Sequence, residues 1–326
     1  AYYSEGLQTT LNWQTAFGGL DHDVTVGIRV HEDEEDRFQE EDAYRLEGGR
    51  LILTGAGAAG SNANRISSGE AVALFLQDRV SIGKLTVTGG ARFEDYELTR
   101  EDYSTADPTR AAGPTRVRTL DDQVVVPGLS ALYELNEDVT LLAGVHRGFA
   151  IASPGATEAD AEESVNWEAG GRFSKEGVDV EAIAFFNDYS NLLGTCTASS
   201  GGNCTIGDQF DGGDVDVMGL ELTASWDAAA LFDTSLSLPV GLVYTWTDAE
   251  FQSGFESSYE PWGDVEAGDE LPYVSDQQIT LMAGIEASRW GMDFSANHVS
   301  EARARAGQGA IPAGERIDAR WLVDAA

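Results

Sequence analysis

The sequence predicts an all-β chain, an antiparallel up-and-down transmembrane β-barrel that is incomplete. Three observations predict it. About thirteen strand-like segments follow one another, and the links between them alternate short and long. Within the segments, apolar and polar residues alternate with a period of two, as successive side chains do on the two faces of a strand. The segments run to about 10–15 residues, where about five or six is usual.

The short links are Gly18-Gly19, Ile82-Gly83, Asn136-Glu137, Glu176-Gly177, Arg289-Trp290 and the slightly longer 228–233. The long, polar links are 32–67, 98–119, 150–162, 191–213, 249–271 and 301–315. A meander trimmed at one end and elaborated at the other has the form of an outer-membrane barrel, with short periplasmic turns and long extracellular loops. No run of about 18 apolar residues is present to make a transmembrane helix, a test that does not reach β-barrels.

Taken in order, Leu7, Thr9, Leu11, Trp13 and Phe17 oppose Gln8, Thr10, Asn12 and Gln14. In 84–94, Leu85, Val87, Gly89, Ala91 and Phe93 oppose Thr86, Thr88, Gly90, Arg92 and Glu94. In 164–173, Val165, Trp167, Ala169, Gly171 and Phe173 oppose Ser164, Asn166, Glu168, Gly170 and Arg172. In 278–287, Ile279, Leu281, Ala283, Ile285 and Ala287 oppose Gln278, Thr280, Met282, Gly284 and Glu286. Charged and amide side chains well inside strands suit a lumen, and aromatics near strand ends (Trp13, Phe17, Phe149, Phe173, Trp226, Tyr244, Trp246 and Trp290) suit interfacial girdles. Pro127 and Pro239 fall inside predicted strands, where a missing donor predicts a bulge or bend.

With 20 basic and 56 acidic side chains the chain carries a formal charge of −36, which excludes the basic footprint that nucleic-acid binding requires. Cys196 and Cys204 lie in a loop rich in Gly, Ser and Thr without histidine. They read as a disulfide made in an oxidising compartment, worth about 2–3 kcal/mol in the chain-entropy account, rather than as a metal site. The chain opens on Ala1-Tyr2-Tyr3 and closes on 321–326, both within strand-like sequence, so it reads as a fragment of a longer protein.

Three stretches carry a family resemblance. They are Gly144-Val145-His146-Arg147-Gly148-Phe149 followed by 162–173, then Ala184-Phe185-Phe186-Asn187-Asp188-Tyr189, and Glu270-Leu271-Pro272-Tyr273-Val274-Ser275. Together they resemble the barrel of TonB-dependent outer-membrane receptors, closest to the ferric-citrate and ferric-siderophore branch. The resemblance implies a 22-stranded barrel filled by an N-terminal plug, of which this chain holds about thirteen strands. It places residues 1–326 in one partial barrel domain without plug or TonB box. It also implies the outer membrane of a Gram-negative bacterium, a monomeric barrel set in outer-membrane lipid, and a ferric chelate as ligand. The energy partner is the TonB–ExbB–ExbD complex, acting through the plug. Ile151-Ala152 departs from the proline-containing turn expected after Phe149. A passive porin, or a receptor for a non-iron nutrient, is the alternative function.

An anionic chelate needs Arg, Lys, Tyr or Trp at the junction of loops and lumen. The candidates are Arg29, Arg37, Tyr44, Arg45, Arg147, Arg172 and Trp262. Arg29, Arg147 and Arg172 are expected to face the lumen, each with an alternative partner such as Glu94, Glu168 or Glu221, and Trp262 has an alternative role as a loop-packing anchor. Glu32-Asp33-Glu34-Glu35-Asp36, with Glu40-Glu41-Asp42, reads either as a cation trap or as a solvated loop tip. No cofactor, resident metal or catalytic residue is expected: HExxH, GxSxG and CxxC are all absent from the sequence.

Overall fold

The computed structural model describes residues 1–153, 161–197, 204, 209–232 and 234–326. Thirteen strands form one antiparallel sheet in chain order. They are β1 (Tyr2–Phe17), β2 (Leu20–Gln39), β3 (Ala63–Ile82), β4 (Leu85–Asp102), β5 (Arg116–Glu134), β6 (Val139–Ala150), β7 (Glu162–Lys175), β8 (Val178–Ser190), β9 (Val215–Asp227), β10 (Pro239–Phe251), β11 (Gln277–Ala287), β12 (Trp290–Val299) and β13 (Arg320–Ala325). Among the described residues the sheet does not close, and β1 and β13 form its two edges. Five short turns and the longer 228–238 link lie at one end, and six long connections at the other. The first turn, Gly18-Gly19, has φ of +63° and +82°, the left-handed pair of a two-residue hairpin.

Register fixes the two faces. Val26 opposes Leu76, Leu76 opposes Ala91 and Ala91 opposes Pro127. Farther along, Val145 opposes Trp167 and Trp167 opposes Phe186. These rows form an apolar belt open to the outside, with Leu11 63%, Leu76 52% and Trp167 51% exposed, as lipid-facing side chains are. The opposite face carries Thr88, Arg92, Glu94, His146 and Glu168 and is the lumen side.

The strands run well beyond the predicted limits at the loop end. β2 continues to Gln39 and β3 begins at Ala63, so the acidic run 32–36 is strand rather than loop tip. Alternation then splits the run. Glu32, Glu34 and Asp36 lie on one face, and Asp33 and Glu35 on the other, which prevents the five carboxylates from converging on one cation.

The two prolines are accommodated without a bulge. Pro127 keeps its register with Ala91, and pairing of β5 with β6 ends one residue away at Gly128, so the missing N–H leaves no gap in that ladder. Pro239 is the first residue of β10, where a strand tolerates proline.

Candidate ligand site at the lumen mouth

At the loop end of β2–β5, register assembles two rows on the lumen face. Arg37 opposes Arg65, Arg65 opposes Asp102, and Asp102 opposes Arg116. One step nearer the short turns, Glu35 opposes Ser67, Ser67 opposes Arg100, and Arg100 opposes Arg118. Five guanidiniums thus face two carboxylates in a chain with 20 basic and 56 acidic side chains. Asp102 orders the patch: it accepts from Arg100 Nε at 2.9 Å and Arg118 Nη2 at 2.5 Å. Arg37 Nε lies 3.5 Å from Glu35 Oε1. Arg65 is half-buried, and its Nε makes no hydrogen bond among the described residues, a donor for which a buried site normally supplies an acceptor.

Directly beneath lies a depression of about 600 Å³, lined by Tyr2, Asp33, Ser67, Tyr96, Phe149 and Ile151 among others. Tyr96 and Phe149 stack with ring centroids 6.4 Å apart, and Tyr2 Oη donates to Asp33 Oδ1 at 3.0 Å. The depression itself also carries Asp33, Glu35, Glu70 and Glu94 and none of the five arginines. It is therefore the guanidiniums above it that suit an anionic ligand, their fork geometry matching carboxylate oxygens, while Tyr96 and Phe149 offer an aromatic surface below. A depression of about 630 Å³ lined by Val87, Ala131, Trp167 and Phe186 lies on the belt face instead and has no part in this site.

Outside this rim, the β4–β5 connection is latched to β2. Arg110 holds Asp36 through Nη2 to Oδ1 at 2.5 Å and Nη1 to Oδ2 at 3.1 Å, and its Nε donates to Asn64 Oδ1 at 2.7 Å. The guanidinium lies over Phe38 at 5.3 Å and Tyr103 at 4.9 Å. Arg110 has φ of +55°, a conformation that costs a non-glycine residue and persists because these contacts over-determine it. The hydrogen bonds it donates to the Asp36 carboxylate hold the Arg110 pKa above its ordinary value.

A second loop assembly forms over β8–β10. Val215, Phe251, Tyr259, Trp262 and Val265 make an apolar cluster, with Cys204, Phe210 and Ala306 packed against it from two other connections. Cys196 and Cys204 are disulfide-bonded, with Cα atoms 6.2 Å apart. Trp262 meets Phe251, Phe255 and Tyr259 edge-on, at centroid distances of 5.9, 5.8 and 5.0 Å.

The sequence-predicted residues disperse. Arg37 lies in the arginine patch, and Arg29 lies on the same face nearer the short turns, opposite Gln8 and Ala73. Arg147 opposes Val165 and pairs with Glu163; Phe149, two residues on, stacks on Tyr96 of the lumen mouth, and Arg147 itself borders a depression shared with Arg92 and Glu168. Arg172 faces the lumen, but beside the Glu176-Gly177 turn and paired with Glu181, at the end of the strand away from the loops. The expected partner Glu94 is taken by Arg92. Tyr44 and Arg45 lie on a separate hairpin and contact Asp42 and Glu47. Trp262 is 6% exposed inside its cluster. Arg65, Arg100, Arg116 and Arg118 are not among the sequence-predicted residues, because the polarity around them reads as loop. The alternation of charge in Arg100-x-Asp102 and Arg116-x-Arg118 is the signal that the strands continue.

This long antiparallel meander, with an apolar belt outside and a charged, aromatic lumen mouth, defines a large part of an outer-membrane-type β-barrel. The family model for TonB dependent receptor-like beta-barrels matches residues 1–326, and the chain belongs to that family. Among solved structures it is similar to the unliganded ferric citrate transporter FecA, at 20% identity and a TM-score of 0.71, covering 99% of this chain and 46% of that one. It is also similar to the ferric-catecholate import receptor Fiu from E. coli K12, at 14% identity and a TM-score of 0.69, covering 99% and 48%. The copper transporter OprC follows at 13% identity and a TM-score of 0.61, covering 99% and 47%. The chain thus spans about half the length of these proteins.

Proposed function

We propose that the protein is a receptor in the outer membrane of a Gram-negative bacterium that takes up an anionic ferric chelate, energised by TonB–ExbB–ExbD. Family membership supports the receptor class and its dependence on TonB. The fold alone does not select the cargo, since it is similar both to ferric-chelate receptors and to a copper transporter. The observation that carries the choice is the arginine patch of Arg37, Arg65, Arg100, Arg116 and Arg118 above an aromatic-walled depression. Citrate-like or catecholate complexes are anionic, and such a patch in an otherwise acidic chain concentrates them at the lumen mouth.

The test is uptake of ⁵⁵Fe-labelled ferric citrate and ferric catecholate by cells expressing the full-length gene. Uptake is expected to saturate and to stop when a protonophore collapses the inner-membrane gradient or when tonB is deleted. Uptake that survives both treatments is the behaviour of a passive porin and refutes the proposal.

A further inference from the structure

Between β2 and β3 the chain leaves the barrel sheet as a hairpin, Ala43–Glu47 paired with Arg50–Gly55. Its turn, Gly48-Gly49, has φ of +57° and +78°. At about 3.3 Å per residue and a tilt near 45°, a strand as long as β2 rises well past an apolar band about 25 Å tall. The hairpin therefore stands outside the lipid.

Register sets Tyr44 opposite Leu53 and Leu46 opposite Leu51, so these four share one face. That face is uncovered: Leu46 and Leu51 are each 71% exposed, Tyr44 53% and Leu53 50%. The hairpin is a two-stranded sheet by itself, with no further strand on either edge among the described residues. An apolar face and open edges in water mark an interaction surface. The surroundings select the partner by charge. Glu40, Glu41 and Asp42 are exposed at the root of the hairpin, whereas Glu47 beside its turn is already paired with Arg45.

We propose that this hairpin docks a cationic amphipathic peptide segment. The segment adds as a strand to an open edge, lays alternate apolar side chains over Tyr44, Leu46, Leu51 and Leu53, and places Lys or Arg against Glu40 and Glu41. The proposal is independent of the cargo, because the arginine patch lies on the barrel sheet and these residues do not.

The experiment uses the full-length protein in nanodiscs and a fluorescent octapeptide of alternating Lys and Leu, with an alternating Glu and Leu peptide as comparison. The Lys–Leu peptide is expected to bind, and the double variant Leu46→Ser/Leu51→Ser to weaken it at least about tenfold. The double variant Glu40→Gln/Glu41→Gln is expected to weaken binding and flatten its salt dependence. Unchanged circular dichroism and melting temperature show that the variants fold. Equal binding of the Glu–Leu peptide, or indifference to both double variants, overturns the proposal. So does a concentration-dependent dimer that Leu46→Ser/Leu51→Ser abolishes, which assigns the face to a second copy. Protection from hydrogen exchange of the outward amides of 43–55, which the hairpin's own ladder leaves free, before any peptide is added overturns it as well, because the edge is then already occupied.

Discussion

Arg37 and Arg65 lie directly opposite each other across the β2–β3 ladder. Like charges in that position oppose folding, and Glu35 and Asp102 offset only part of the local positive charge. An arrangement that costs stability in the empty receptor and is relieved by an anion is one that selects an anion.

Replacing Arg65 by Gln should therefore stabilise the unliganded protein while weakening chelate binding. The expected gain is about 0.2–1 kcal/mol, the range of a directly opposed charge pair. Thermal denaturation with and without ferric citrate checks both halves. A variant that melts earlier without ligand shows that Arg65 is a structural residue.

The Arg110 latch yields a prediction about the β4–β5 connection. Arg110→Ala removes two charge-assisted bonds to Asp36 and one bond to Asn64, and hydrogen bonds to charged groups are worth about 1.5–3 kcal/mol each in such sites. Arg110→Gly removes the same bonds but relaxes the left-handed backbone. Hydrogen exchange in 103–115 should accelerate in both variants, and less in the glycine one. Retained protection in both means that the loop is held elsewhere.

The same loop gives a pH dependence. Asp107 accepts from Thr109 Oγ1 at 2.6 Å, Thr109 N at 3.2 Å and Ala112 N at 3.0 Å. The Thr109 hydroxyl first, then the backbone donors, hold its carboxyl below the ordinary value of 3.8. A depressed acid contributes stability that is complete above its unfolded pKa and is lost as pH falls through its folded pKa. Loop protection from Asp107 should thus be constant from neutral pH down to about 5 and decline only in stronger acid. Asp107→Asn should remove that decline. Hydrogen exchange corrected for intrinsic rate, followed against pH, measures it; a loss near neutral pH contradicts the assignment.

Trp262 predicts a local collapse. Its ring fills the space beside Gly194 and Gly212, where an added Cβ would come within 2.5 and 2.6 Å of it. Trp262→Ala should cost about 3–5 kcal/mol of loop stability, and Gly212→Ala should be destabilising through overpacking. Proteolysis should then open the 191–213 and 249–271 connections while the barrel sheet stays intact. Loss of the whole sheet would mean that the cluster supports the barrel itself.

The meander is legible in the sequence because turn residues and period-two alternation are local signals. Gly18-Gly19 and Glu176-Gly177 announce themselves, and so do the faces of 84–94 and 164–173. Sequence misleads wherever polarity reads as loop. Beyond the lipid band both faces of a strand meet water, so the apolar half of the pattern fades at 32–39, 98–102 and 116–119 although the ladder continues. The arginine patch lies in those extensions. The pairing of Arg147 with Glu163, rather than with Glu94, Glu168 or Glu221, depends on a long-range register that the sequence does not show. Trp262 is legible as an anchor or as a ligand contact, and only packing among three connections separates the two.

The most direct test of the account is the affinity of the full-length receptor for ferric citrate and a ferric catecholate, compared with Arg65→Gln/Arg118→Gln. Removing the charge-assisted hydrogen bonds of two guanidiniums should weaken binding of at least one chelate by about a hundredfold or more, with the effect shrinking as salt rises. Wild-type affinity in the double variant, for both chelates and at low salt, would contradict the central claim that the arginine patch captures the cargo.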